Sequence, residues 1–413
     1  MNRRQTLINA LATGIMKLKC VPDDFRVTEL SARKPTSGAY SLYRLSKTSI
    51  GTLETLTKIR HIWNLASSQV SHSGLKDKQA VTSQLVTIRN GPRQTSEQHD
   101  FCLEYLGATD HAIGAEDILG NGFRIVLRDL TTGDCDLIRR RASARATYRF
   151  PNYFDNQRFG SLGASGEFVA AAWCQRDFER ATWLALADFS HYDRTPERRD
   201  KVFLQGNWGD WTACKEQLSK SNRRSVITYL CDHPTKFRKA FALIAPEMRG
   251  LYLSAFQSAV WNRMLKSFVN RTASESQWNF EVAVGDTELP FCAEVEESIR
   301  EIDIPLPSAR CRSMSDETRA ICDNALLNYK LKLEDMKLAF PRDKWFSRGD
   351  RAAFIEAANL NIEEHEDEKH AGQRAVTLDF ELPRGSYATM LIKSLTGRLS
   401  SGDTINSKPE STE

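Results

Sequence analysis

Strand-type alternation occurs toward both ends of this 413-residue chain, and helical spacing fills the stretch between. Near the N-terminus Phe25, Val27 and Glu29 alternate with Arg26 and Thr28, Val81 to Ile88 is rich in β-branched residues, and Phe123, Ile125 and Leu127 alternate with Arg124, Val126 and Arg128. Near the C-terminus Val376, Leu378, Phe380 and Leu382 alternate with Thr377, Asp379 and Glu381, the pattern of a half-buried strand. From Glu167 to about Ala339 helical signals dominate, at Phe168 to Leu184, Pro246 to Phe268 and Met314 to Lys330, broken by a strand near Phe280 to Val284. Strands contributed by both ends predict one α+β domain interrupted by a helix-rich insertion. The expected boundaries are 1–165 and 346–396 for the interrupted domain, 166–345 for the insertion and 397–413 for a disordered tail.

Local signals refine this outline. Leu53, Leu56, Ile59 and Trp63 recur at helical spacing, with Thr48 or Ser49 as the expected N-cap. Leu137 to Thr147 reads as a basic helix, and Pro151 bars regular helix at the start of Pro151 to Gly160. The acidic run Glu363 to Glu368 reads as a solvated loop.

Composition bounds the partners. The apolar fraction of 41% supports substantial cores, and a net charge of +4 makes any nucleic-acid contact a matter of local clustering. The nine cysteines are scattered without a Cys-x-x-Cys pair or zinc-finger spacing, so reduced thiols, no metal and a cytoplasmic location are expected. No run approaches the length of a membrane span, and no protein partner is implied, so a monomer is the expectation.

The chemistry concentrates in Gly74-Leu75-Lys76-Asp77-Lys78. Flanking cations favour the anionic form of Asp77, leaving it available as a base or nucleophile. A lone Lys-Asp-Lys triplet is ordinarily a solvated turn. Four further loop-like segments mix aromatics or amides with Gly or Pro: Lys19 to Glu29, Gly120 to Arg124, Pro151 to Gly160 and Leu382 to Thr389.

Taken together these segments resemble the TruD family of tRNA pseudouridine synthases. The patterns K-x-x-P-x-D-F-x-V-x-E, G-L-K-D-K-x-A-x-T-x-Q, N-x-F-x-x-Q-R-F-G and L-P-x-G-S-[FY]-A-T run in family order, and Ala255-Phe256-Gln257-Ser258 resembles an internal A-[FY]-Q-S helix. The resemblance covers about Lys19 to Leu395 and implies a catalytic domain on a mixed, mostly antiparallel sheet flanked by helices. The implied reaction breaks the C1′–N1 bond of a D-arm uridine, position 13 in bacterial relatives, turns the base and rejoins it through C5 without a cofactor.

On that resemblance Asp77 is the catalytic carboxylate and Lys19 the cation that opposes its desolvation. Phe25, Phe154 and Tyr387 are candidate stacking faces for a flipped base, and Asn152 can match the uracil edge. Gln157, Arg158 and Phe159 brace the Asn152 loop. Asp155 stands where the family often has glycine, a position that matters if it needs positive φ. The tRNA substrate would be held electrostatically, with Lys76, Lys78, Arg139, Arg140 and Arg141 meeting phosphates, joined by Arg145, Arg149 and clusters from Arg194 to Lys239.

Two readings compete. One is an RNA-binding protein or chaperone that keeps the scaffold without the chemistry. The other is a nucleoside or glycoside hydrolase, which needs a second carboxylate from Asp23, Asp24 or Glu29 facing the same bond.

Overall fold

The computed structural model describes residues 16–143, 148–190, 193–272, 280–291, 301–311, 314–338 and 345–397. The expected tail after Gly397, Arg145 and the end of the basic helix beyond Ser143 lie outside the described residues. Two compact units are present: the residues up to Phe150 together with those from Ile355 onward, and Pro151–Phe354. The second unit therefore takes in the Asn152–Gly160 segment, which the sequence reading assigned to the interrupted domain.

The first unit is built on a 10-stranded sheet. Its strands are β1 (Phe25–Ser31), β2 (Tyr40–Thr48), β3 (Val70–His72), β4 (Val81–Arg89), β5 (Ser96–Glu97), β6 (Phe101–Thr109), β7 (Ile118–Leu130) and β8 (Tyr148–Pro151), with β13 (Phe354–Glu366) and β14 (Arg374–Pro383) returning from the far end of the chain. The order is β5-β6-β2-β4-β1-β7-β14-β13-β8, with β3 on β4. β1 runs parallel to β4, whereas β2–β4, β2–β6, β1–β7, β7–β14 and β13–β14 are antiparallel. The mixed, mostly antiparallel sheet is thus the observed architecture.

Cross-strand register fixes which side chains share a face. Phe25 lies opposite Ile125 and Ile125 opposite Leu378; Val27 lies opposite Phe123 and Phe123 opposite Phe380. On the same face, Tyr43, Leu45, Val86, Ile88, Phe101 and Leu103 pack under Leu56 and Ile59 of helix α1 (Thr52–Ile62). Leu42, Leu85 and Ile113 form a separate cluster, with Leu42 and Leu85 at the alternate positions of β2 and β4. Helix α1 starts after Gly51, not after Thr48 or Ser49, because β2 runs to Thr48 and Ser49 sits at φ 58° to turn the chain. Helix α2 spans Thr132–Ser143, earlier than the basic run suggested. Thr131 and Asp134 start it, the Thr131 amide donating to Asp134 Oδ2 at 2.9 Å.

The acidic run is not a solvated loop. Glu363 to Glu366 belong to β13, and Asp367 is 5% exposed. Arg128 donates from Nη1 to Asp367 Oδ1 at 3.0 Å and from Nη2 to Asp24 Oδ1 at 2.7 Å, clamping the turn before β1 to the turn after β13. Burial alone would raise the Asp367 carboxyl; the amides of Asp129 and Lys369, with His370 and Arg128, outweigh it and hold the group well below the usual carboxylate range.

The second unit is helical where the spacing said so. Its helices are α3 (Val169–Cys174), α4 (Phe178–Leu186), α5 (Thr195–Gly206), α6 (Trp211–Gln217), α7 (Asn222–Asp232), α8 (Phe237–Ala242), α9 (Pro246–Thr272) and α10 (Asp316–Leu327). Asp177, Asp210, Ser221 and Ser315 each cap a helix start with a side-chain oxygen. Two small antiparallel pairs complete it, β9 (Phe280–Val284) with β10 (Thr287–Phe291) and β11 (Asp303–Pro305) with β12 (Asp350–Ala352). Back in the first unit the chain closes with α11 (Ala388–Thr396).

Candidate active site

The Gly74–Lys78 segment has no regular structure, so its backbone polar groups need side-chain partners. The Lys76 amide donates to Thr52 Oγ1 at 3.0 Å, and Gln84 Nε2 donates to the Gly74 carbonyl at 2.9 Å. Thr52 and Gln84 also touch each other at 3.1 Å. From below comes Lys47, 2% exposed, whose Nζ donates to the Asp77 carbonyl at 2.7 Å and to the Ile50 carbonyl at 2.7 Å. Lys47 continues the β2 row of Tyr43 and Leu45, which is why its stem is buried where the next apolar residue would be. Burial pulls its ammonium down from the ordinary lysine value, and the charge of Asp77 opposes that shift.

With its carbonyl held, Asp77 points its carboxylate at Lys19. The Lys19 Nζ donates to Asp77 Oδ2 at 2.7 Å, the two side chains being 29% and 32% exposed. The same ammonium lies 4.1 Å from the centroid of the Phe25 ring. Lys19 adopts φ 57°, a left-handed conformation that a lysine rarely takes, so the turn before Pro22 is strained into this position. Carboxylate and ammonium thus come from two segments distant in sequence, the aromatic face from the same segment as the ammonium.

Other expected contacts are differently placed. Phe25 is 5% exposed, with Lys19 over its ring and Phe123 at its edge, so it supports the cation and offers a base no free face. Lys76 turns inward. Its Nζ reaches Asn121 Oδ1 at 2.5 Å and Glu29 Oε2 at 3.2 Å, while Ser73 Oγ donates to the same Glu29 oxygen at 2.6 Å. With these buried partners the Lys76 ammonium is withdrawn from phosphate contact. Lys78 is exposed and pairs with Glu54 at 3.1 Å.

The three arginines of α2 also part ways. Arg139 bridges Asp136 and Glu364, and Arg140 is exposed. Arg141 folds back to donate to the Leu395 carbonyl at 3.0 Å, capping α11, and burial pushes its guanidinium down to about 10. It is a structural contact of the helix end and not a phosphate ligand. Tyr387 stands half-buried at the N-cap of α11, after Gly385 has turned the chain at φ 84°.

Asn152 and Phe154 belong to the second unit and are described within it. Asn152 Nδ2 donates to the Ala352 carbonyl at 3.0 Å, and its Oδ1 accepts from Arg351 Nη2 at 2.7 Å. The side chain expected to read a uracil edge is therefore occupied by protein. Asn262 accepts from the Phe154 amide and donates to its carbonyl, both at 2.8 Å. The Phe154 ring is 8% exposed, with Trp261 at its edge and the Arg351 guanidinium 4.1 Å from its centroid. Asp155 has φ −94° and caps the 3-10 turn Asn156–Phe159, so that position does not require glycine. Among the cationic clusters of this unit, Lys201 pairs with Asp193 and Arg223 with Glu197, whereas Arg194, Arg199, Lys220, Lys236, Arg238 and Lys239 are exposed.

The acids of the hydrolase reading are also accounted for. Asp24 is bound by Arg128, Glu29 by Lys76 and Ser73, and Asp23 pairs with Arg26. Sequence reasoning missed Lys47, Glu29, Thr52 and Gln84 as supports of the Asp77 loop. The available signal was lysine at a position where strand alternation calls for an apolar residue.

The family profile described as tRNA pseudouridine synthase D (TruD) matches residues 5–395. The chain belongs to the TruD family. It is accordingly an enzyme of the isomerase class. Among similar TruD proteins, a Methanococcus maripaludis protein named "Probable tRNA pseudouridine synthase D 1" is 28% identical over 92% of this chain and 98% of its own length. The Aquifex aeolicus tRNA pseudouridine synthase D is 25% identical over 92% of this chain and 98% of its own. The crystal structure of a TruD protein from Methanosarcina mazei shares the fold, with a TM-score of 0.72 at 22% identity over 94% of both chains. Among the described residues no helix is long and apolar enough to cross a membrane.

Proposed function

We propose that this chain converts a D-arm uridine of tRNA, at position 13, to pseudouridine, in the cytoplasm and without a cofactor, with Asp77 as the catalytic carboxylate. The C1′–N1 bond breaks, the base turns, and C5 bonds to C1′; the proton lost from C5 is balanced by the one N1 gains. Asp77 acts as nucleophile or base, and Lys19, 2.7 Å away, aims its carboxylate.

The observation that carries the reading is the 2.7 Å Lys19–Asp77 contact on a loop whose carbonyls and amide are fixed by Lys47, Thr52 and Gln84. Such anchoring holds a charged group in place through its main chain. The test is single-turnover isomerisation of an unmodified tRNA transcript, with pseudouridine mapped by position. Asp77→Asn is expected to lower the rate by roughly a thousandfold or more, with tRNA affinity and the melting curve retained. Near-normal turnover by that variant would refute the assignment. Binding without isomerisation by the parent would favour the RNA-chaperone reading.

A further inference from the structure

Leu75 and Leu119 are 65% and 61% exposed, more than any other large apolar residue of the first unit among those described. The segments that carry them touch. Gly74 lies against Ile118, such that a Cβ there would sit 3.6 Å from Ile118 Cδ1, and Lys76 Nζ reaches Asn121 at 2.5 Å. The residues on either side of Leu75 therefore contact the residues that flank Leu119 and Gly120. Asp77 is two positions beyond Leu75.

Neither leucine sits on a slack loop. Leu75 lies between the Gly74 carbonyl, held by Gln84, and the Lys76 amide, held by Thr52. Leu119 is the extra residue of a β-bulge: Leu30 pairs with Gly120 and Ser31 with Ile118. A bulge re-aims a side chain out of the regular alternation. The Leu119 carbonyl accepts from the Arg384 amide at 3.2 Å. The exposed Arg384 side chain has no ion pair among the described residues, and the exposed Lys78 is on the same loop as Leu75.

We propose that Leu75 and Leu119 form a fixed apolar wedge that enters the base stack of a folded RNA and fills the place vacated by the target uridine. A base must leave its stack before the sugar–base bond can be reached, and an inserted apolar side chain compensates the lost stacking. Arg384, on the segment hydrogen-bonded to Leu119, adds a positive charge that suits phosphates. The inference rests on the function proposed above and deepens it: the wedge acts on stacked RNA in particular.

The test compares two RNAs in single-turnover assays. One is an unmodified tRNA transcript; the other is the same transcript with an abasic residue 3′ of the target, where the stack is already broken. The Leu75→Ala/Leu119→Ala double variant is expected to lose about tenfold or more on the intact transcript relative to its loss on the abasic one. Leu75→Met, which keeps an apolar side chain, should recover most of that difference. In an Asp77→Asn background, a fluorescent adenine analogue beside the target should brighten on binding only when the leucines are present. Equal losses on the two RNAs, or no loss on either as expected of a protein-docking patch, would overturn the wedge. A parent enzyme inactive on both RNAs would instead overturn the proposed function.

Discussion

The Asp77 loop and the Asn152–Phe154 segment carry the two most distinctive motifs of the chain, and the fold holds them in opposite ways. In the first, the surroundings grip the backbone: Lys47 takes the Asp77 carbonyl, Thr52 the Lys76 amide and Gln84 the Gly74 carbonyl. The Asp77 carboxylate stays 32% exposed beside Lys19. In the second, the surroundings grip the side chains as well. Arg351 binds Asn152 Oδ1 and lies over the Phe154 ring, while Asn262 closes both backbone groups of Phe154. A residue fixed through its main chain can work with its side chain; a residue whose side chain is consumed works as structure. The comparison predicts loss of chemistry from changes at the first segment and loss of stability from changes at the second.

The largest effect is that of Asp77→Asn, set out above: activity lost, fold kept. Next is Lys47→Met, which keeps the apolar stem but removes the ammonium under the Asp77 carbonyl. The single-turnover rate should fall about 10- to 100-fold with tRNA affinity nearly unchanged, the loss expected of one charged hydrogen bond that positions a reacting group. A rate within twofold of the parent would mean that backbone anchoring does not matter to the chemistry. Asn152→Ala should act in the reverse sense. It removes the Oδ1 acceptor of Arg351 and the Nδ2 donor to the Ala352 carbonyl, while the bonds from Arg351 to the Asn152 main-chain carbonyl remain, and should lower stability by about 2 kcal/mol in urea unfolding of the full chain. If instead turnover collapsed while the unfolding curve stayed put, Asn152 would be a substrate ligand and the contrast between the two segments would fail.

The smallest effect concerns a buried charge with no assigned part in catalysis. The Asp367 carboxyl is held below its ordinary range, so its unfolded form binds the proton first as pH falls. Its stabilising contribution is complete above about pH 4 and is lost as pH drops through the lower folded value. Asp367→Asn should therefore cost about 1–2 kcal/mol at neutral pH, and the gap between variant and parent should close in acid. A gap that stayed constant from pH 7 down to about 2 would show that the carboxylate's charge is not what Arg128 recognises.

Much of this was readable from residue order. The strands at Phe25, Val81, Phe123 and Val376, and the helices after Pro246 and Asp316, follow from alternation and spacing that are local properties. The Asp77 motif and its companion around Lys19 were legible because each compresses several constrained residue types into a short loop. The start of α1 was missed because Ser49, though a good cap by type, is spent on a left-handed turn. Arg141 and Lys76 were misread because a cation looks the same in a sequence whether it faces water or a buried acceptor. The partners that decide, the Leu395 carbonyl for one and Glu29 with Asn121 for the other, are distant along the chain.

Short-range periodicity and residue type were enough to say where strands and helices lie, that the chain folds back to complete its own sheet, and which aspartate stands apart. Packing alone assigned the work of each charge. Burial and hydrogen bonding depend on what long-range register brings alongside, and so Lys19 meets Asp77, Lys47 carries its backbone and Lys76 is withdrawn into the sheet.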